Sequence, residues 1–339
     1  MIILSNSLTN MADEGGLKVA TSIVKRIKQA KKDTLVITYD RQSALSDIHL
    51  KINKLLLSKK LISLINKNKT DVLYIPFPAP MLSMAVRIFI LSFFARFGLR
   101  VVLLRQYPMN SLARVCLRLS GARLVVFSES AKEFYSPIVK GRVEYVKLGV
   151  DTDKFVPVSP EKAVELKEKY GFNPSKPVVL HAGHMKDGRN IATLSKIDNK
   201  YQVLLVVSTL SKERQSEELR RKLKACENIK IIDYFVENIE EIFALSDVYF
   251  FPVKQIGHCI DIPLSCLEAA SCNKPVITTD YGEMAKFVDK EGFYYLNDFD
   301  ENNINRLINE ALQHKDLNTR KYALEYDWAN GVKALIKED

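Results

Sequence analysis

Cysteine is scarce and unpaired in this chain of 339 residues. The five cysteines, Cys116, Cys226, Cys259, Cys266 and Cys272, contain no Cys-x-x-Cys pair, and their number is odd. That argues against a disulfide scaffold or a zinc knuckle, and for a reducing compartment such as the cytoplasm. Long apolar runs are missing too. The strongest membrane candidate, Met81–Leu99, is interrupted by Arg87 and Arg96, and no unbroken stretch reaches the ~18 residues of a spanning helix. It reads as a helix of a soluble fold. The opening MIILSNSLTNMADEGG lacks a basic leader and reads as a strand and loop, not a signal peptide. There is no short-period repeat, no low-complexity tract and no Gly-x-Gly-x-x-Gly.

Charge is present but uneven. Residues 1–150 hold 24 Lys/Arg against 9 Asp/Glu, a net +15, and the remainder holds 26 against 31, a net −5, which restores the whole-chain +10. A basic half faces phosphates, nucleic acid or an anionic membrane, or is a solvated surface. No aromatic-basic motif accompanies the charge, which excludes nucleic acid as the expected partner. The same half carries Met81–Leu99, whose Phe89, Phe93 and Phe94 with their flanking arginines suit the inner face of a membrane.

Apolar β-rich runs alternate with helical patterns along the chain. MIILSNS, TLVITYD, DVLYIPF, RVVLLRQ, RLVVFSE and VEYVKLG are the strand candidates of the first half. Between the first two lies a helix over Leu17–Ala30, with Leu17, Ala20, Ile23, Val24 and Ile27 on one face. FVPVSPEKAVELKEKYGFNPSKP, with four prolines and a charged helix, reads as an interdomain connection. Then PVVLHAG, YQVLLVVST, IKIIDYF, SDVYFFP and KPVITTD repeat the pattern. The expectation is α/β: two doubly wound parallel-sheet domains. In open parallel sheets ligands bind beyond the carboxyl ends of the strands. That singles out the loops Asp13–Gly16, Arg105–Asn110, Gly183–Asn190, Phe235–Asn238, Pro252–Ser265 and Asp280–Glu283.

Three clusters in those loops could carry chemistry. Gly15-Gly16 stands before the first helix, where glycines let backbone N–H groups approach a phosphate or sugar, or simply make a turn. After strand PVVLHAG come Gly183, His184, Lys186 and Arg189. A lysine and a bidentate arginine there can clamp a diphosphate, although surface loops often hold such residues. In DIPLSCLEAAS, Pro263 fits a first helical turn, Leu264 and Ser265 offer free N–H groups to an anion, and Glu268 follows one turn later. A carboxylate there accepts two hydrogen bonds from a ribose diol, or serves as a helix-dipole acid.

DIPLSCLEAASCNKPVITTDYGEMAKFV resembles the donor-site signature of the retaining family-four glycosyltransferases (glycosyl transferases group 1), of GT-B fold. LGVDTDKFVP, VLHAGHMKDGRN and IEEIFALSDVYFFP are similar to that family's interdomain, phosphate-loop and pre-donor segments. DEGGLKVATSIVKRI, RLVVFSESAKEFY and YDWANGVKALIKE resemble its glycine loop, a strand-Ser-helix near the end of its first domain, and its closing helix. The resemblance implies two Rossmann-like domains facing a central cleft. It implies an acceptor domain over 1–155, a nucleotide-sugar domain over 156–318, and a helix over 319–339 crossing back to the first.

Carried over by position, Glu268 grips the donor ribose. Arg189 takes the place of the diphosphate lysine, and His184 that of an arginine. Leu264 and Ser265 meet the phosphates. Phe235, Val236, Glu237 and Asn238 form the loop that holds the base. Gly15 and Gly16 form the glycine loop, with Ser128 and Gln106 on the acceptor side; Gln106 stands near the place of the family's histidine. Ile260 stands where the family has its first glutamate, so Asp261 is the candidate sugar contact.

The implied function is transfer of a sugar from a nucleotide diphosphate to a glycan or lipid-linked acceptor, with retention, in polysaccharide or glycoconjugate biosynthesis. Arg189, Lys186 and Glu268 are the catalytic set. No cofactor or metal is implied, and the expected location is cytoplasmic and peripheral at the membrane's inner face. Two alternatives follow from the departures at Ile260 and Gln106 and from the shared fold: a sugar-nucleotide epimerase, and an inactive sugar-nucleotide-binding partner subunit.

Overall fold

Strong β-formers in short apolar runs, each followed by an amphipathic helix, give two wholly parallel sheets in this computed structural model. It describes residues 1–339 except 10–13, 41, 54, 78, 209–216, 256, 315 and 337–339. The first sheet contains β1 (Ile2–Ser5), β2 (Leu35–Thr38), β3 (Ile48–His49), β4 (Val72–Ile75), β5 (Leu99–Val102), β6 (Arg123–Val126) and β7 (Val143–Tyr145). The second contains β8 (Val178–Gly183), β9 (Gln202–Val207), β10 (Ile229–Ile232), β11 (Val248–Phe251), β12 (Val276–Thr278) and β13 (Phe293–Tyr295). The orders are β3-β2-β1-β4-β5-β6-β7 and β10-β9-β8-β11-β12-β13. Each is the Rossmann-like order of the GT-B class, with its topological switch between β1 and β4 or between β8 and β11.

The chain divides into two units. The first is Met1–Leu148 with Ile260–Ile262 and Trp328–Asp339; the second is Gly149–Cys259 with Pro263–Asp327. The break at 148/149 precedes the proline-rich stretch, so that stretch is no linker. Its helix Pro160–Lys169 is built into the second unit. Lys167 pairs with Asp247 at 2.8 Å and Lys169 with Glu241 at 2.6 Å, while the Tyr170 hydroxyl donates to Glu241 at 2.8 Å. Arg320 ties the same unit together by donating to the carbonyls of Phe155 (2.8 Å), Ser271 (2.7 Å) and Thr152 (2.8 Å).

In the first unit the helix Gly15–Ala30 buries Val19, Ala20, Ile23, Val24 and Ile27, with Leu17 half-buried. Met81–Leu99 is a helix only over Met81–Ser92; Met81, Met84, Ala85, Ile88 and Leu91 lie in the core, and β5 begins at Leu99. Phe93 is exposed, but Phe89 and Phe94 are half-buried, so the three phenylalanines do not form one outward face. Among the described residues no helix is long and apolar enough to cross a membrane.

The closing helix Trp328–Ile336 packs in the first unit, beside the helix Gly15–Ala30. The Arg100 guanidinium donates to the carbonyl of Leu335. At Gly331 a Cβ would stand 2.3 Å from Leu148 Cβ and 2.7 Å from the carbonyl oxygen of Lys147. Backbone cannot yield as a flexible side chain can. Gly331→Ala should therefore cost about 1–3 kcal/mol of stability, whereas Asn330→Ala, at an exposed position, should stay within about 0.5 kcal/mol. Urea unfolding of the two variants checks this; equal stabilities would mean the helix is not held at Gly331.

Candidate functional site

The second unit builds its site at the β8/β11 switch. Strand β8 ends at Gly183, and the turn Asp187–Arg189 folds Arg189 back over it. A Cβ on Gly183 would lie 2.7 Å from Arg189 Nη1, so the guanidinium uses the space that glycine leaves. Arg189 is only 4% exposed. Its Nη2 donates to Cys259 Sγ at 3.3 Å, and its Nε finds no partner among the described residues. Nor does any described carboxylate form an ion pair with it. The result is a buried cation beside a strand end, with hydrogen-bonding capacity to spare.

Three further contacts fix that loop. Asn190, at φ 56°, donates from Nδ2 to the carbonyl of Pro252 at 3.1 Å, just past β11. His258 lies against Gly188, where a Cβ would fall 2.0 Å from its ring. The Tyr281 hydroxyl donates to the carbonyl of Cys259 (2.7 Å) and accepts from its N–H (3.2 Å), which holds the thiol in place beside Arg189. His184 and Lys186 are half-buried on the same loop, and the Lys186 carbonyl accepts the N–H of Arg189 at 3.1 Å.

After Pro263 the helix Leu264–Ser271 begins, with Leu264 buried and Ser265 half-buried. Glu268 is 4% exposed in its second turn, beside buried Ala269 and Ala270. Phe235 and Val236 are half-buried, and Glu237 and Asn238 exposed, beyond β10. That strand is the sheet's outer edge, two places from β8. The fold therefore gathers Gly183, Arg189, Asn190, Pro252 and Cys259 at one switch point and leaves the segment 235–238 along the same sheet edge.

Ile260–Ile262 group with the first unit, although Cys259 before them and Pro263 after them belong to the second. The Asp261 N–H donates to the carbonyl of Leu104 at 2.9 Å, and Ser128 Oγ donates to the Asp261 carboxylate at 3.5 Å. Ser128 also caps the helix Glu129–Tyr135 by accepting from Ala131 N–H at 3.1 Å. Gln106 is half-buried in a loop pinned on both sides by Tyr135, whose hydroxyl donates to the Arg105 carbonyl and accepts from Tyr107 N–H, each at 3.0 Å. Burial raises the Tyr135 and Tyr107 hydroxyls above the ordinary phenol range.

Gly15 and Gly16 open their helix, but the space beside them is filled by side chains. A Cβ on Gly16 would fall 2.4 Å from the Phe77 ring, and one on Gly15 would fall 3.2 Å from Ile260 Cδ1. Asp13, at the head of that loop, lies outside the described residues.

Tyr135, Tyr281, Cys259 and His258 escaped the sequence reading. Each acts through a partner distant in sequence or through a backbone atom, which leaves no local signature. Two Asp-x-Asp spacings serve local structure. Asp151 accepts from Lys154 N–H at 3.1 Å, Asp298 accepts from Asp300 N–H at 3.1 Å, and Asp300 caps the helix Glu301–Gln313. Among the described residues no group of three or more His, Cys, Asp or Glu is placed to hold a metal ion.

Residues 176–314 match the family described as Glycosyl transferases group 1. No curated protein matches the chain. Among solved structures, a glycosyltransferase from Rickettsia africae is 16% identical at TM-score 0.75, covering 99% of this chain and 96% of its own. Anabaena HepE in complex with UDP and glucose is 15% identical at TM-score 0.72, covering 98% and 97%. A candidate UDP-N-acetylglucosamine 2-epimerase from Listeria monocytogenes is 14% identical at TM-score 0.60, covering 99% and 94%. At these identities the structures show the shared fold.

Beneath Arg189 lies His181, fully buried, whose ring stacks on Tyr249 with centroids 6.4 Å apart. Its Nδ1 donates to the carbonyl of Phe250 at 2.8 Å, and Nε2 has no partner among the described residues. Burial, helped by the Arg189 charge and opposed by the Phe250 bond, pushes its pKa down from 6.5 to about 3. The imidazole is therefore neutral in the fold. The unfolded chain takes up a proton near pH 6.5 that the folded chain refuses until about 3. Stability should thus fall as pH drops through that window, by at most about 1.4 kcal/mol per pH unit. His181→Asn keeps a donor near the Phe250 carbonyl but cannot titrate. Denaturation at pH 7 and pH 4 should show the parent's advantage over the variant shrinking with acidification; a constant gap would rule out a buried neutral His181.

Proposed function

We propose that this chain transfers a sugar from a nucleotide diphosphate to a glycan or lipid-linked acceptor, with retention and without a metal or cofactor, in polysaccharide or glycoconjugate biosynthesis. The observation that carries the reading is Arg189: a guanidinium 4% exposed, with an unpartnered Nε and no carboxylate partner among the described residues. A buried unpaired charge is costly, and an anionic ligand at the switch point offsets that cost. The family match over residues 176–314 supports sugar transfer, and the UDP held by HepE supports a nucleoside diphosphate as the anion.

In this reading Glu268 accepts hydrogen bonds from the ribose diol. Leu264, Ser265, Gly183 and His184 surround the phosphates, and Phe235, Val236, Glu237 and Asn238 border the base. Arg189, with Lys186, stabilises the departing diphosphate as its charge grows. No protein nucleophile is assigned; positioning and leaving-group stabilisation carry the rate. The acceptor is assigned to the first unit, with Gly15, Gly16, Gln106 and Ser128, and Asp261, which accepts from Ser128, is the candidate contact to the donor sugar. The net +15 of residues 1–150 supports peripheral contact of the same half with an anionic membrane, at the cytoplasmic face in this reading. The Listeria structure favours one second reading, epimerisation of a nucleotide sugar; it predicts free nucleotide without any glycosylated product.

A panel of nucleotide sugars, screened by mass for slow donor hydrolysis and transfer, tests the class. Within it, Arg189→Ala should lose about 100–1000-fold in turnover, with a smaller effect on donor affinity, because the interaction strengthens in the transition state. Arg189→Lys should recover a good part. Turnover of Arg189→Ala near the parent's, with Lys186→Ala crippled, would transfer the role to Lys186. Glu268→Ala should weaken nucleoside diphosphate binding about 10–100-fold, since charge-assisted hydrogen bonds are worth about 1.5–3 kcal/mol each. Calorimetry showing unchanged affinity would reduce Glu268 to a helix acid.

A further inference from the structure

The helix Ser111–Leu119 buries one face and leaves a second apolar face uncovered. Ala113, Cys116 and Leu117 point into the first unit's core. Leu112, Val115 and Leu119, at i, i+3 and i+7, form an outward stripe and are 56%, 50% and 64% exposed. Arg114 and Arg118, also exposed, run beside it. Next to the stripe an open groove of about 330 Å³ is lined by both arginines with Val115, Phe134, Pro137 and Ile138. Three large apolar side chains in one line, edged by two guanidiniums, is not the scattered exposure of an ordinary surface.

We propose that this face docks the protein on an anionic lipid bilayer. The occupant follows from charge. A second copy of this chain would bring arginines against arginines on a half that carries +15 over residues 1–150. A purely apolar partner would leave both guanidiniums unmatched. A bilayer with anionic headgroups satisfies both parts: the leucines and valine enter the headgroup–acyl boundary while the arginines meet lipid phosphates. The inference rests on the reading of membrane contact above and gives it a location, on Ser111–Leu119 rather than on Met81–Leu99.

Flotation with vesicles of phosphatidylcholine, alone or mixed with phosphatidylglycerol, tests it. The parent should bind the mixed vesicles and be released as salt rises. Arg114→Glu with Arg118→Glu should lower partitioning at least about tenfold. Leu112→Ser with Leu119→Ser should do so by a similar factor, and Phe93→Ser with Phe97→Ser should stay within a few-fold of the parent. Nucleoside diphosphate affinity and melting temperature should be unchanged in all, so a docking failure is separable from a failure of the sugar-transfer reading. Parent-like binding by both helix variants overturns this face while leaving membrane contact standing. No binding by the parent, or equal binding to neutral vesicles, overturns both. Concentration-dependent self-association abolished by the arginine variant would identify a second copy as the occupant and overturn the bilayer.

Discussion

A guanidinium taken out of water without a carboxylate partner among the described residues is the constraint around which the second unit's site is arranged. The effective penalty for burying an unpaired ion is several kcal/mol, so Arg189 persists there only because its surroundings leave it no other place. Gly183 gives it room, Cys259 accepts from it, and Tyr281 fixes Cys259. Asn190 anchors the loop to Pro252, and His258 closes over Gly188. None of these groups neutralises the charge. Neighbouring His181 is held neutral in the fold, so it adds no second cation to the same place. In the proposed reading the donor's diphosphate supplies the anion that would balance this cation.

The two sheets share one topology and make opposite use of it. In each, the strand order reverses at one crevice, between β1 and β4 or between β8 and β11. At the second, a glycine at the end of β8 admits a guanidinium. At the first, Gly16 opens the helix after β1 and admits the ring of Phe77, which follows β4. The glycine is needed in both for the same steric reason, a neighbour standing where Cβ would be. What differs is the neighbour's chemistry, cationic in one unit and aromatic in the other.

This explains what could be read from the chain itself. Eleven of the strands were legible because each is a short run rich in apolar, β-branched or aromatic residues between polar turns. The two missed strands, β3 and β13, are edge strands of two and three residues, too short to show a period. Arg189 and Glu268 could be singled out because they lie in local motifs at strand and helix ends, and the structure buries both. The residues that hold the site, Tyr281 on Cys259 and Tyr135 around Gln106, were not; their targets are backbone atoms 22 to 30 residues away. The helix Ser111–Leu119 was passed over for a related reason. Its outward leucines have the same spacing as buried ones, and only solvent exposure separates the two.

Ile260 is the departure that sequence comparison alone cannot interpret, and packing gives it a reason. Its Cδ1 lies against Gly15, where even a Cβ would come within 3.2 Å, and Ile260 is 8% exposed. A carboxylate in that position would be pressed on an apolar contact, with the desolvation cost that entails. The isoleucine and the glycine are therefore matched: the one needs the room that the other leaves. The next residue, Asp261, is bonded through its N–H to Leu104 and through its carboxylate to Ser128. Ser128 in turn caps the helix that carries Tyr135, and Tyr135 pins the backbone on both sides of Gln106. The two departures from the family pattern, at Ile260 and Gln106, thus meet in one connected network of the first unit. Three of the side-chain bonds in that network are buried, and each fixes backbone or a side chain next to one of the two positions.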